Sequence, residues 1–338
     1  MLTWPHKLTD WHDSLAEVEP VFLNIALEIA KREPVVITCD SSANAARITS
    51  RLLELGASAE RLFLPVARSN DTWARDHGPL GVVTGSTTAQ LQDFRFNGWG
   101  NKYPAALDDK LVQTLASKGW FGQTALNVFD LVLEGGSVDC DGAGTLLTTS
   151  ACLLHPQRNP ALSRCDLERE LGDILGVQRF LWLEHGCLEG DDTDSHIDML
   201  ARFVDSKTIV YQSCNEVGYS CYESLKAMEQ ELFSFRTTTG HHYSLVQLPW
   251  PQPRFDVAGN RMPASYANFL IINDAVLVPT YCDPSDEVAL ICLRNCFPDR
   301  EVIGINCLPL VQQYGSLHCL TMQLPAGIDL RRPVSLLE

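Results

Sequence analysis

The densest polar cluster in the chain is Asp194-Ser195-His196-Ile197-Asp198. His196 and Asp198 lie two residues apart, so on a strand both would share one face with Leu200 and Arg202. A carboxylate beside an imidazole raises its pKa and lets it act as acid or base near neutral pH. Asp191, Asp192 and Asp194 do not complete a calcium loop, which needs Gly at the sixth position and a later Glu. A solvated acidic loop stays open for Asp191 and Asp192. His318-Cys319 pairs an imidazole with a thiol, but neighbours on a strand face opposite ways. His196 is therefore the better base for a Cys319 nucleophile, with a plain core thiol as the alternative. In Asn70-Asp71-Thr72-Trp73-Ala74-Arg75-Asp76-His77-Gly78-Pro79, Asp76 could hold a cation with Trp73 as a cation–π wall. Asp76 could equally pair with Arg75 or cap a turn. Glu134-Gly135-Gly136 sets a carboxylate before two glycines, which permit close approach or make a simple turn. No phosphate-loop spacing is present.

Asp76, Glu134 and Asp198 gathered around a thiolate would repel one another unless a cation sat among them. A planar guanidinium suits such a set. It offers forked donors to two carboxylates and an electrophilic carbon to sulfur.

The elements that must position these groups read as mixed α/β. Apolar residues Val18, Phe22, Ile25 and Ile29 recur at three- and four-residue steps, predicting a helix over 15–31. Ser41 or Ser42 caps a second helix through Leu55, stopped by Gly56. Further helices are expected near 108–117, 163–175, 223–235 and 285–296. Strands are expected at 34–38, 80–83, 145–149, 180–183, 208–211, 269–272 and 275–280. A polar residue followed by strand, tight turn and strand recurs after Asp76, Glu134, His196 and Asn268. Cys319 begins a last run, Leu-Thr-Met-Gln-Leu. These five residues stand roughly 60 apart, which suggests pseudo-repeated hairpin units or a coincidence of ordinary hairpins.

Length alone allows about two domains at ~150 residues each. Apolar content of 45% with 20% charge is globular. The formal charge of −16 disfavours nucleic acid and anionic membrane as partners and is compatible with a cationic substrate. Neither a secretory leader nor an 18-residue apolar run is evident. The 12 cysteines lack zinc spacing; ten or eleven are expected to be reduced, buried packing thiols of a cytoplasmic protein.

On these residues the sequence resembles the agmatine deiminase family, which includes bacterial-type peptidylarginine deiminases, in the guanidine-modifying superfamily. The resemblance spans nearly the whole chain. Its motifs are Asn70-Asp71-x-Trp73-x-Arg75-Asp76-x-Gly78-Pro79, Phe96-Asn97-Gly98-Trp99-Gly100, Leu133-Glu134-Gly135-Gly136-Ser137 and Leu147-Thr148-Thr149. They continue with Arg158-Asn159-Pro160, Asp192 to Asp198, Ser265-Tyr266-Ala267-Asn268-Phe269 and Gly315-Ser316-Leu317-His318-Cys319. The resemblance implies one catalytic domain over 1–338, a five-bladed α/β propeller (pentein fold) of ββαβ units. It implies Cys319 as nucleophile, and His196 as the acid for departing ammonia and then the base for water. Asp76 and Asp198 would grip the guanidinium, Glu134 would orient His196, and Trp73 and Asn268 would line the pocket. No metal or organic cofactor is implied; the partner is a small cationic guanidine, and a homo-oligomer is open to the fold.

Two departures stand out. Relatives carry a segment like Pro-Ala-Glu-Trp-x-Pro before the first strand, whereas this sequence opens at Met1-Leu2-Thr3-Trp4, so that strand is read as truncated. Gln313-Tyr314-Gly315-Ser316-Leu317 stands where many relatives have Gly-Gly-Gly-Asn-Ile before His-Cys. The expected reaction is hydrolysis of agmatine to N-carbamoylputrescine and ammonia, in polyamine (putrescine) biosynthesis. Gly98, Trp99 and Gly100 follow Asn97, where peptidylarginine-type relatives place arginines for a substrate carboxylate. Arg95, just before, keeps peptidyl- or free-arginine deimination as the alternative. Amidinotransfer, and a silent binding or metal-binding module, are further readings; the intact Cys319, His196, Asp76 and Asp198 set opposes silence.

Overall fold

The structure is a computed structural model, which describes residues 1–85 and 88–333. Its described strands form five three-stranded sheets and one two-stranded ribbon. Four of the sheets share one plan: an antiparallel hairpin, a helix, then a third strand parallel to the second. They are Leu80–Thr84 with Thr88–Arg95 and Ala125–Val132, and Val138–Cys140 with Thr145–Thr149 and Arg179–Leu183. The other two are Ala201–Asp205 with Thr208–Gln212 and Ser244–Leu248, and Leu270–Ile272 with Ala275–Thr280 and Glu301–Asn306. In the fifth sheet Leu2–Thr3, Val35–Thr38 and Leu62–Phe63 are all parallel. Its antiparallel element is a single bridge between Leu2 and Thr321.

By internal contacts the chain divides into two compact units. Among the described residues, one is Met1–Gly135 together with 319–333; the other is Gly136–His318. The first holds the sheets of Leu2–Phe63 and Leu80–Val132, with Leu91, Leu111, Leu115, Trp120, Phe121 and Met322 in one apolar cluster. The second holds the remaining three sheets and the ribbon Arg254–Phe255 with Arg261–Met262.

The helices form where the patterns place them. Leu15–Ala30 buries the stripe Val18, Phe22, Ile25 and Ile29, each worth about 1.5–3 kcal/mol on full burial. Ser41 caps Ser42–Glu54 by accepting the Asn44 N–H, and Gly56 follows at φ 95°. Ser163 and Asp166 make a capping box for Arg164–Leu175, and left-handed Gly176 ends it. Three of the third strands carry no such signal, whereas Arg179–Leu183 matches the strand expected at 180–183. Ala125–Val132, Ser244–Leu248 and Glu301–Asn306 pair on one side only, so Asn127, Asp130, Gln247 and Gly304 break their apolar runs.

Three expectations need correction. His196 and Asp198 are not on a strand. His196 precedes the 3-10 turn Ile197–Met199, reached through Asp194 and Ser195 at φ 66° and 68°. Cys319 does not begin a strand but sits in the turn 317–320. Cys187 and Cys221 are joined by a disulfide, and Cys140, Cys165 and Cys282 are exposed, so the cysteines are not uniformly buried, reduced packing thiols. Cys187 and Cys221 lie 34 residues apart in sequence, on segments that only the folded chain brings to a Cα–Cα distance of 5.8 Å.

Candidate active site

In the first unit a scaffold of buried carboxylates shapes the loop before Asp76. Asp108 accepts the backbone N–H groups of Asn70 (2.7 Å) and Asp71 (3.1 Å), while Asn70 Oδ1 accepts the Leu107 N–H (2.7 Å). Asp71 in turn accepts the Thr72 N–H at 2.9 Å and Trp73 Nε1–H at 3.1 Å. Burial pushes the carboxyl of Asp71 up to about 7 and that of Asp108 up to about 8. The Trp73 ring lies against Trp11, with centroids 5.7 Å apart.

The loop leads into the single helical turn Ala74–His77, which carries Asp76. Trp99 Nε1–H donates to Asp76 Oδ2 at 3.0 Å. Arg75 directs guanidinium N–H groups to Met322 Sδ at 3.4 Å and to Gln323 Oε1. Its backbone N–H donates to the Cys319 carbonyl at 3.1 Å, which sets the thiol-bearing residue beside this turn. Glu134 is fully buried, and the next residue packs on the same turn. A Cβ on Gly135 would stand 2.2 Å from the Arg75 carbonyl oxygen. Close approach, not turn geometry alone, therefore accounts for this glycine. Asp76, Glu134 and Cys319 thus converge on one turn of backbone, and Trp73 leads into it.

In the second unit His196, Asp198 and Asn268 are all buried. His318 Nδ1 and Asp198 Oδ2 are 2.7 Å apart. The His318 backbone N–H is shared between Asn268 Oδ1 (2.8 Å) and the Asn268 carbonyl (3.2 Å). Asn268 Nδ2–H donates to the Asp198 carbonyl at 3.4 Å. His318 lies in a turn and not on a strand, so the alternation of strand faces does not exclude it as a base. Its ring is nevertheless engaged with Asp198.

The loop carrying His196 is held from below. Asp191, half-buried, accepts the Thr193 N–H (3.1 Å) and the Ser195 N–H (2.6 Å), so it ties the loop together. Arg158, its side chain fully buried, donates to Asp194 Oδ2 at 2.7 Å and to the Thr193 carbonyl at 2.9 Å. Thr193 Oγ1 accepts the His196 N–H at 3.2 Å. Replacing Arg158 with Ala removes the buried guanidinium that holds Asp194 Oδ2 and the Thr193 carbonyl. We expect a loss of about 2–4 kcal/mol in urea unfolding, with a lower kcat as the His196 loop loosens. Wild-type stability in that variant would show the pair to be dispensable.

In the sequence Arg158, Trp99 and His318 stand in motifs, and His318 is set aside as a base in favour of His196. Their roles rest on contacts distant in sequence, so neither residue type nor local spacing announces them. Among the other thiols, burial pushes Cys39 up to about 12 and Cys296 up to about 11, and raises Cys214, Cys292 and Cys307. Such thiols are poor nucleophiles near neutral pH.

The Porphyromonas-type peptidyl-arginine deiminase family matches residues 1–325. The chain belongs to that family. Members and relatives align over nearly the full length. A solved Porphyromonas gingivalis protein, provisionally named an arginine deiminase, is 47% identical with a TM-score of 0.89, covering 98% of this chain and 96% of that one. A cysteine-to-serine variant of the C. jejuni agmatine deiminase, solved with substrate bound, is 32% identical with a TM-score of 0.87, covering 98% and 93%. A Vibrio parahaemolyticus protein provisionally named an agmatine deiminase is 31% identical over 96% of this chain and 93% of its own length. Membership of the peptidyl-arginine deiminase family makes the chain a hydrolase of C–N bonds in guanidino groups. Among the described residues, no helix of this family member is long and apolar enough to cross a membrane.

Proposed function

We propose that the chain is an agmatine deiminase, acting through a covalent intermediate on Cys319. The reading rests most on one observation: the Arg75 N–H holds the Cys319 carbonyl at 3.1 Å, on the turn that carries buried Asp76. A thiol beside a buried carboxylate suits a cationic electrophile.

In the proposed sequence, Asp76 and Asp198 grip the guanidinium and the Cys319 thiolate attacks its carbon. His196 delivers a proton to the departing nitrogen, the C–N bond breaks, and ammonia leaves an S-alkylthiouronium. His196 then takes a proton from water as the water oxygen bonds to the carbon. The C–S bond breaks, its electron pair returns to sulfur, and the ureido product departs. Glu134 supports the charge on His196, and Trp73 and Asn268 line the pocket. The chemistry draws on thiol, imidazole and carboxylate alone. We further propose that the five sheets are the blades of a five-bladed α/β propeller working as one catalytic domain. We also propose a cytoplasmic setting, where the Cys187–Cys221 disulfide would be open to reduction by cellular thiols.

Agmatine carries no carboxylate and needs no arginine clamp. In keeping with that, Arg95 is a surface residue paired with exposed Asp130 at 3.2 Å. Peptidyl- or free-arginine deimination is the second reading, favoured by the family matched and by the 47% identical relative. A panel of agmatine, free arginine and a peptidyl-arginine, scored for ureido product and ammonia, separates the two. We expect the highest kcat/KM on agmatine. A higher value on either arginine substrate would transfer the assignment, and no ammonia from any guanidine would end it.

A further inference from the structure

We infer that Trp99 and His318 are positioning residues that set the planes of the two guanidinium-gripping carboxylates. The inference rests on the proposed guanidine chemistry and deepens it. A guanidinium is planar and its N–H donors are directional, so a carboxylate serves it well only when its own plane is correctly turned. The terminal torsion of an Asp side chain is broad and two-fold. Burial by itself therefore does not choose that plane; a fixed donor does.

Each carboxylate meets such a donor within its own unit. Asp76 Oδ2 accepts Trp99 Nε1–H at 3.0 Å, and Asp198 Oδ2 lies 2.7 Å from His318 Nδ1. Both rings are themselves held. Phe96 and Tyr103 pack edge-on against Trp99, with centroids 5.0 and 5.5 Å away. Trp99 has φ 55°, within a left-handed run of Gly98, Trp99, Gly100 and Asn101. A bulky side chain rarely takes that conformation, and such outliers gather where function demands a fixed geometry. A Cβ on Gly98 would stand 2.3 Å from the Tyr103 carbonyl oxygen, so the run tolerates little change. His318 is anchored through its backbone N–H on Asn268 and is followed directly by Cys319. The segment bearing the nucleophile thus also orients a grip.

A purely structural role would be for a buried indole or imidazole to satisfy its own N–H. The two roles part when Cys319 is alkylated by different reagents. 2-Chloroacetamidine carries a planar cation that needs both carboxylates; the thiolate bonds to its methylene carbon, and chloride leaves with the C–Cl electron pair. Iodoacetamide reacts by the same displacement but is neutral. Rates at Cys319 are read by peptide mass mapping for the full chain, Trp99→Phe, His318→Ala and His318→Asn. Trp99→Phe keeps a ring and removes the donor, and His318→Asn offers an amide N–H near the former Nδ1. We expect Trp99→Phe and His318→Ala to slow the amidine about 10- to 100-fold, leaving iodoacetamide within about twofold, as loss of a hydrogen bond to a charged group would. His318→Asn should recover most of the loss. Equal slowing of both reagents, or no slowing of the amidine, overturns the inference. Should Trp99→Phe fail to fold, the two His318 variants decide it. A wild-type Cys319 that shows no preference for the amidinium overturns the guanidine reading itself, an outcome separate from any variant's behaviour.

Discussion

Cys319→Ala should abolish ammonia release from agmatine while leaving binding intact. Without the thiolate no thiouronium forms, and direct attack by water on a resonance-stabilised guanidinium is very slow. The expected loss in kcat is about 10⁴-fold or more, the scale seen when a covalent nucleophile is removed. The thiol is uncharged when protonated and is not the main source of affinity, so calorimetry should give a Kd for agmatine within about threefold of wild type, under 1 kcal/mol. Retained turnover in this variant would end the covalent mechanism. Loss of binding together with turnover would make Cys319 part of the grip instead.

The second large effect is expected at the carboxylates. Asp76→Asn and Asp198→Asn preserve size and remove a charge facing a desolvated cation. Taking one partner from a buried ion pair costs about 3–5 kcal/mol, which corresponds to a fall of about 10²- to 10³-fold or more in kcat/KM. Both variants should act largely through KM, because the charge is needed in the ground state as well as in the transition state. Asp198→Asn should also disturb His318, since the amide can turn its NH₂ toward Nδ1, where Oδ2 now sits 2.7 Å away. Asp76→Asn leaves an acceptor for Trp99 if its amide oxygen keeps that place, so its effect should be the cleaner of the two. Unchanged KM and kcat in both variants would remove the grip from the mechanism.

Both effects fall on residues that their types and spacing mark in the amino-acid sequence. Asp76, Glu134, His196, Asn268 and Cys319 stand out because they recur roughly 60 residues apart, and Asp198 because it lies two residues beyond His196. The helices are equally legible there. The apolar stripe of Leu15–Ala30 and the caps Ser41 and Ser163 act within a few residues of themselves, so local sequence carries them. The strand geometry expected for His196 and Asp198 fails for an equally local reason. Two successive left-handed residues, Asp194 and Ser195, redirect the chain, and neither is a glycine that would have flagged the turn.

By itself, then, the sequence determined the α/β class, the repeated hairpins, the family and the chemical groups available to it. Each of those depends on residue type and on spacing along the chain. The tertiary structure decided the rest. It set Trp99 on Asp76, His318 on Asp198 and Arg158 on Asp194, and it brought Cys187 to Cys221. These partners lie 23 to 120 residues apart. A hydrogen bond or ion pair is felt over a few ångströms of space, whatever the length of chain between its ends, so only the folded backbone can choose the partner.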